Sequence, residues 1–533
     1  RGWLDYFLLT GNAPHGYILI EQLCAAVDEA QPLAPHLQTA LAELEVVTGR
    51  VSAAEARLAQ VRQSSQWAHS PELRLHALTI TISIYIKQGQ NEAIPALAEE
   101  ANALWPSLPT TRLELILLNQ LATSSRRRGD TDAALTAFTE LHERAHRLQN
   151  KYHEALALLQ TAVLHHHYLD NYPAAQPLYE QALAIAQPLA FKTITADCQA
   201  YLGTIYSLQG DYPRSLDNLQ HALRLYRDLG EPITEGLTLI NLCHTYDAMD
   251  EYAQIGEKCR QGVELLAKAG TTYYEADGCA LCSSYAIAVG DYMEAQTYLR
   301  TASAIARDSD NTMLLARVLW RTVWLAANVG DFAAAATTLT TAQALPKEQL
   351  SAERRCGIAL SAAMLYQYQG KLSAAQQAAQ QACTLAHEVA PYWEADCAIQ
   401  YGYILLAQEQ WAEAIAQFTI AEQIRSGVRQ LEAKAGLALA MWRLGECEAA
   451  VAHIQPVLTY CQTNRRPLYG VLQRAAVYLN CYEVLGGGKT AVDILMSGYE
   501  QLQQQWRRLD ARWQKTFWQV PTHQRLQQLA KHG

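Results

Sequence analysis

The sequence predicts an all-α protein, a right-handed superhelical solenoid of about twelve to thirteen helix-turn-helix repeats with a period near 40 residues. Three observations predict this fold. Turn signals recur along the whole chain, small side chains recur at fixed distances from each turn, and the composition is rich in Ala, Leu and Gln but poor in Phe. A fixed period of this length is typical of repeats that stack on their neighbours.

The turns are the clearest of these signals. Twelve turns resemble Gly210-Asp211-Tyr212, and nine of the eleven intervals between them are 39 to 41 residues, while the last two are 36 and 42. Glycine is favoured where the first helix of a pair ends, because it tolerates the left-handed backbone of a helix C-cap. The turns are centred on residues 49, 89, 129, 170, 210, 250, 290, 330, 370, 409, 445 and 487.

Small side chains occupy fixed positions around these turns. Gly203 illustrates the position seven residues before a turn, and Ser215 and Ala222 illustrate the positions five and twelve residues after it. The last two share one face of the second helix. Larger apolar residues such as Leu219 and Phe418 are expected to fill the space that the small residues leave between closely packed helices.

This pattern resembles the tetratricopeptide repeat, and the resemblance covers nearly the whole chain. The usual period of that family is about 34 residues, and the longer period here resembles a subgroup found in bacterial regulators. The family's Leu-Gly, Tyr, Gly-Asp-Tyr, Ala, Phe and Ala are matched by Leu202, Gly203, Tyr206, Gly210, Asp211, Tyr212, Ser215, Leu219 and Ala222.

Three segments are expected along the chain. Residues 1–35 are interpreted as a truncated first repeat, with a helix cut to residues 3–9 and a thirteenth turn at 10–12. Residues 36–498 are expected to form the repeat array, and residues 499–533 a C-terminal capping helix and tail. The cut helix leads us to expect further protein upstream.

Both ends resemble parts of larger signalling proteins. The segment GWLDYFLLTG at 2–11, followed by Gly16, Leu19 and Glu21, resembles the first sensor repeat of STAND-type signalling ATPases, including LuxR-type and SARP-type regulators. The segment FWQVPTHQRL at 517–526 resembles the ending of many bacterial regulators with these repeats. The resemblance implies a sensor region with ATPase or effector domains upstream in the same polypeptide.

Composition excludes several classes of protein. The net charge is −10 with acidic and basic residues interspersed, which argues against nucleic-acid binding. No apolar run approaches the roughly 20 residues of a membrane-spanning helix, so no membrane partner is expected. The twelve cysteines are scattered along the chain, which favours a reducing, cytoplasmic compartment over a disulfide framework.

Four short patterns resemble catalytic or ligand sites, and each has a simpler interpretation. The segment HERAH at 142–146 has zinc-peptidase spacing but no well-placed third ligand, and favours a solvated helix end. The glycine-rich segment 486–490 is better interpreted as the last turn, Cys279 and Cys282 as buried core residues, and the histidines at 165–167 as side chains that point in different directions. We expect no catalysis, no cofactor and no metal; a zinc metallopeptidase is a remote alternative.

Ligand binding is expected on the concave face, because the first helices line it in the family that the chain resembles. Aromatic and arginine side chains dominate binding energy at interfaces, and Trp320 and Trp324 lie one helical turn apart. Two simpler interpretations stay open: the indoles pack between helices, and the arginines before Gly129 form a solvated helix end. The candidate binding residues are Arg126, Arg127, His167, Tyr168, His244, Asp247, Arg317, Trp320, Trp324, Asn328, Tyr403 and Trp442.

The leading hypothesis is therefore a non-catalytic ligand- or protein-sensing repeat region of a larger bacterial signal-transduction protein. Its partner is expected to be a protein or peptide, with a small molecule as the other choice, and it is not expected to bind nucleic acid or membrane through this region. The alternative is a stand-alone scaffold or co-chaperone that holds peptide tails in its groove.

Overall fold

A computed structural model describes most of the chain. Within the described residues the protein is entirely helical, with 27 α-helices, four short 3-10 helices and no strand, which confirms the predicted all-α solenoid of helix pairs. The truncated helix expected at 3–9 and the turn at 10–12 lie largely outside the described residues. The residues that the structure describes are 4, 7, 13–28, 31–88, 90–104, 111–169, 171–309, 311–387, 389, 391–464 and 467–532.

The chain divides into two compact units, Arg1–Thr238 and Leu239–Gly533. The first unit contains α1 (Ala13–Ala26), α2 (Ala34–Val47), α3 (Val51–Gln63), α4 (Pro71–Gln88), α5 (Ile94–Leu104), α6 (Thr111–Arg127), α7 (Thr131–Arg147), α8 (Lys151–His167), α9 (Tyr172–Ala186), α10 (Lys192–Leu208), α11 (Tyr212–Leu229) and the first part of α12 (Pro232–Ala248).

The second unit contains the rest of α12 and fifteen further helices. The expected segment boundaries after residues 35 and 498 fall inside α2 and α25, so a helix continues through each position. The helices are α13 (Ile255–Lys268), α14 (Thr272–Val289), α15 (Tyr292–Asp308), α16 (Thr312–Asn328), α17 (Phe332–Gln343), α18 (Ala352–Tyr368), α19 (Leu372–Ala386), α20 (Pro391–Ala407), α21 (Trp411–Ile424), α22 (Gly427–Arg443), α23 (Cys447–Asn464), α24 (Arg474–Leu485), α25 (Lys489–Arg508), α26 (Ala511–Thr516) and α27 (Pro521–His532).

The turn between the two helices of a pair is built as the sequence predicts. Gly210 has a φ of 81°, in the left-handed region, and Asp211 is the N-cap of α11 because its side chain accepts the backbone N–H of Arg214. Asp250 and Glu409 adopt the same left-handed φ at their turns, so the geometry is kept there without glycine.

Close packing of the helix pairs follows the predicted alternation of small and large side chains. A Cβ atom on Gly203 would lie 2.6 Å from Cγ of Leu219, and one on Gly402 would lie 2.8 Å from the ring of Phe418. Ala222 is fully buried. Each small residue therefore lets the backbone of one helix approach the large side chain of the next.

In the second unit, the C-terminal helices contact turns that precede them by more than 170 residues. The backbone N–H of Val428 donates to the Asp250 carboxylate at 2.8 Å across 178 residues, and the Thr516 hydroxyl donates to the Val329 carbonyl at 2.8 Å across 187 residues. The aromatic tail packs against α25, and Phe517 is fully buried. The ends of α12, α14 and α16 in this unit are thus covered by polypeptide from the same chain.

None of the helices in the described part of the chain is both long enough and apolar enough to span a lipid bilayer.

Candidate functional site

One of the two candidate arginines at the end of α6, Arg127, caps a neighbouring helix. Arg127 donates from Nη1 to the Ile86 carbonyl at the end of α4, 41 residues earlier, and Lys87 donates to the Val46 carbonyl at 2.6 Å across the same separation. These cations satisfy carbonyl groups that a helix end leaves unpaired. Arg126 beside them is half-buried, and its Nε makes no hydrogen bond. The structural role of Arg127 is therefore to cap the end of α4, which is related to the helix-end interpretation of these arginines.

The histidines at the end of α8 separate into a core residue and an exposed one. His166 is buried among aromatic rings. Burial lowers its pKa to about 3, and the electrostatic effect of the neighbouring His167 is a smaller cause in the same direction. His167 stacks on His166 with ring centroids 4.3 Å apart and is exposed, as is Tyr168. Leu208 occupies the same position relative to the next turn, and 51% of its surface is exposed. The end of this helix row therefore presents aromatic and apolar side chains to solvent.

The tryptophan pair on α16 is mainly a packing feature. Trp320 is 4% exposed and stacks on Trp324 with ring centroids 5.9 Å apart. A Cβ atom on Gly357 of α18 would lie 2.8 Å from the Trp320 ring, so this indole rests directly on the neighbouring backbone. Trp320 therefore packs between helices, as the simpler interpretation had it. Trp324 is only half-buried.

The C-terminal end of α16 faces only a small enclosed space. A cavity of about 30 Å³ is lined by Trp324, Asn328 and Tyr368 on one side and by Arg474 and His523 from the C-terminal helices on the other. That volume holds about one water molecule. Asn328 also donates to the Trp324 carbonyl at 2.9 Å. These candidate residues are covered by the chain's own C-terminal part, and no larger ligand fits beside them without its displacement.

The candidate residues on α12 differ in exposure. Asp247 forms an ion pair with Arg429 of α22, which also bonds the Tyr252 hydroxyl. His244 lies one helical turn before Asp247, is exposed, and has its ring centroid 5.7 Å from that of Tyr285. Asp247 therefore holds the second unit together, whereas His244 stays accessible to a ligand.

The last two candidate residues lie in the packed core or near it. Tyr403 is 5% exposed and meets the Phe418 ring edge-on with ring centroids 5.3 Å apart. Trp442 on α22 is half-buried. Because Trp442 is half-buried, a ligand could contact only part of its side chain.

A charged cluster around the middle of α16 was only partly predicted by the sequence analysis, which named Arg317 as a candidate but not Arg321. Arg317 pairs with Asp277 of α14. Arg321, one helical turn later, is 4% exposed, donates from Nε to the Ser284 hydroxyl at 2.7 Å, and places its guanidinium 4.0 Å from the centroid of the Trp320 ring. The available signal was two arginines spaced i, i+4 on one helix face.

Electrostatics distinguish Arg321 from an ordinary surface arginine. Burial, followed by the positive charge of Arg317, lowers the pKa of Arg321 to about 9. Arg354 on α18 also lowers this pKa, while Glu353 and Asp277 raise it. The guanidinium therefore lies in a site where positive charge is only partly compensated.

The histidine and cysteine patterns do not assemble a metal centre in the described part of the chain. His142 and His146 have ring centroids 6.4 Å apart, and Nδ1 of His146 lies 3.0 Å from a carboxylate oxygen of Glu154. Cys279 and Cys282 are buried core residues. Among the described residues, no group of three or more His, Cys, Asp or Glu side chains could hold a metal ion.

Comparison with known proteins agrees with this architecture. The tetratricopeptide repeat family matches residues 113–187 and 162–228. Among curated proteins, no sequence matches the chain. The solved structure of the apo form of RapI is similar over 67% of this chain and 98% of that chain, with 14% identity and a TM-score of 0.51.

Two further solved structures are similar in part. The similarity to the APC/C hetero-tetramer Cut9-Hcn1 spans 98% of this chain and 96% of that chain, with 14% identity and a TM-score of 0.47. The apo form of the quorum sensor NprR from B. thuringiensis covers 73% and 97%, with 12% identity and a TM-score of 0.43. At these identities the likeness concerns the fold alone. Together with the observed helix pairs, the family match and the RapI structure make this chain an α-solenoid of tetratricopeptide-like repeats.

Proposed function

We propose that this chain is the non-catalytic, partner-binding repeat region of a larger bacterial signalling protein, and that its partner is a protein or peptide. One observation carries the proposal. The ends of α12, α14 and α16 in the second unit are covered by polypeptide from the same chain, whereas the ends of α8 and α10 in the first unit are exposed. We call these exposed residues, His167, Tyr168, Leu169 and Leu208, the turn-end surface.

The second unit supports the proposal because it already contains a polypeptide bound at this position. The carbonyl of Ala288, at the end of α14, accepts the backbone N–H of Gly470 at 3.0 Å and Nη2 of Arg474 at 2.6 Å. A helix end leaves such carbonyls unpaired, and an approaching chain satisfies them with its own N–H groups. The same repeat geometry therefore suits recognition of another polypeptide.

The turn-end surface has the composition of a binding surface. Tyr168 and Leu169 are each 47% exposed, and they lie one repeat before the more exposed Leu208. Large apolar side chains grouped on a surface favour association, and tyrosine is enriched at protein interfaces. His167 adds a polar group to the same edge. A protein or peptide segment with apolar anchors would bury these side chains.

The wider context of the proposal rests on sequence resemblance alone. The segments 2–11 and 517–526 resemble parts of STAND-type regulators, which leads us to propose upstream ATPase or effector domains and a cytoplasmic location. The complete gene sequence tests this part separately. A gene that encodes only these repeats would contradict it and would favour the stand-alone scaffold.

Capture of partners from native lysate tests the binding surface. We expect a partner retained by the wild-type chain to be lost by the Tyr168→Ser/Leu208→Ser double variant, because both apolar anchors are removed. The matched control is Leu148→Ser/Leu189→Ser, which changes two leucines that are 41% and 49% exposed at the ends of second helices. Equal retention by both double variants, identified by mass spectrometry, would contradict the proposed surface.

A further inference from the structure

The second unit holds a compact group of charged side chains away from its covered turn ends. Three arginines and two carboxylates from three successive first helices compose it. We call it the arginine pocket: Arg317 and Arg321 of α16, Arg354 of α18, Asp277 of α14 and Glu353 of α18.

Two of the three arginines have a carboxylate partner. Arg317 pairs with Asp277, and Arg354 pairs with Glu353. Arg321 does not, because its hydrogen bonds go to neutral acceptors: Nε donates to the Ser284 hydroxyl at 2.7 Å and Nη1 to the Arg317 carbonyl at 3.2 Å. With three cations and two anions, the arginine pocket keeps one uncompensated positive charge.

The arginine pocket also has more hydrogen-bond donors than acceptors. The Nε atoms of Arg317 and Arg354 and the indole Nε1 of Trp320 are enclosed and make no hydrogen bond. Buried donors that are left without acceptors are costly, so a ligand that supplies acceptor oxygens is favoured here.

We propose that the arginine pocket binds the carboxylate of a ligand, with Arg321 as the main contact. This inference is independent of the turn-end surface and of any partner that binds the first unit. The guanidinium plane of Arg321 is fixed between the Trp320 ring, 4.0 Å away, and the Ser284 hydroxyl. A fixed planar fork matches the two oxygens of a carboxylate.

The neighbouring acids select the charge of the ligand. Asp277 and Glu353 leave a single positive charge unbalanced, which suits a monoanion and disfavours a phosphate dianion by repulsion. Their side chains are 22% and 30% exposed, and the nearby Tyr273 is 48% exposed, so the pocket opens to solvent on this side. The carboxylate belongs either to a small organic acid or to the C-terminus of a peptide.

Calorimetric titration at constant ionic strength tests the proposal with four named probes: acetate, inorganic phosphate, and the tripeptide Gly-Gly-Leu with a free or an amidated C-terminus. We expect acetate or the free tripeptide to bind and the amidated tripeptide and phosphate to bind at least about tenfold more weakly. Tighter binding of the tripeptide than of acetate identifies a peptide terminus, and the reverse identifies a small acid. Tighter binding of phosphate, or no carboxylate binding, overturns the proposal.

Variants assign the binding to Arg321. Arg321→Met is expected to weaken carboxylate binding about tenfold or more, whereas Arg307→Met, at an exposed site on α15, is expected to change nothing. Arg321→Lys keeps the charge but not the fork and is also expected to lose affinity; it decides the question if circular dichroism shows that the Met variant is unfolded. Unchanged affinity in a folded Arg321 variant contradicts the proposal.

The Tyr168→Ser/Leu208→Ser variant separates the two proposals. It should bind carboxylate normally, because its substitutions lie in the first unit. Lost partner capture with normal carboxylate binding supports both proposals. Retained capture by this variant contradicts the turn-end surface, and absence of carboxylate binding by the wild-type chain contradicts the arginine pocket.

Discussion

At the scale of single residues, glycines set the distance between neighbouring helices. Gly402 and Gly436 both approach the same side chain: added Cβ atoms would lie 2.8 Å and 2.4 Å from the Phe418 ring. Gly203 stands in the same relation to Leu219. Contacts shorter than 3 Å between carbon atoms are strongly repulsive, so even one methyl group forces these helices apart.

Gly203→Ala is therefore expected to destabilise the first unit by about 1–3 kcal/mol, because the new Cβ overlaps Leu219. Gly256→Ala is the matched control: this helical glycine has nothing within 4 Å of an added Cβ. The control is expected to be neutral or to stabilise by up to about 1 kcal/mol through helix propensity. Urea unfolding followed by circular dichroism measures both, and a Gly203→Ala protein as stable as the wild type would contradict the close contact.

At the scale of helices, the residue before each second helix determines how well that helix begins. Asp211 has φ and ψ of −85° and 69°, and its side chain accepts a backbone N–H. Lys371 has nearly the same backbone, −85° and 64°, but makes no side-chain cap. The turn geometry is therefore independent of the cap, and the cap adds stability only where Asp, Asn or Ser is present.

Lys371→Asp is expected to stabilise the second unit by about 0.5–1 kcal/mol, because a carboxylate at this position bonds the free N–H groups and complements the helix dipole. Asp211→Ala is expected to cost about 1 kcal/mol in the first unit. Thermal unfolding by calorimetry measures both changes. A lower melting temperature for Lys371→Asp would show that the turn at 370 does not accommodate the cap.

At the scale of the whole molecule, contacts between distant parts of the sequence hold the second unit closed. Arg429 contributes most, since it pairs with Asp247, lies 3.5 Å from an Asp250 oxygen and bonds the Tyr252 hydroxyl at 3.1 Å. Removing one partner of a buried ion pair leaves the other charge uncompensated. These contacts should therefore decide how cooperatively this unit unfolds.

Arg429→Ala is expected to destabilise the second unit by about 3–5 kcal/mol, because two carboxylates lose their partner. Hydrogen exchange followed by mass spectrometry should show faster exchange at residues 246–252 and at the start of α22, with no change in the first unit. Arg307→Ala is the control, since Arg307 is exposed on α15. Unchanged exchange in the Arg429 variant would mean that the unit is closed by other contacts.

The repeat and its packing could be predicted from the sequence because they depend on local contacts. A turn such as Gly210-Asp211, a small residue such as Gly203 and its large partner Leu219 lie within 16 residues of one another, and the pattern recurs twelve times. Helix period and capping act over the same short range. Fold class, the positions of the turns and the close helix contacts therefore followed from the residues themselves.

Which inner residues a ligand can reach was decided only by tertiary structure. Trp320 and Trp324 share one stripe in the sequence, yet one indole rests on Gly357 and the other is half-buried beside the C-terminal helices. The sequence does not distinguish Arg321 from other core-facing residues. The structure shows that it bonds a hydroxyl group and has no carboxylate partner. The physical reason is that the covering segments come from more than 170 residues away, and no short-range period specifies where they bind.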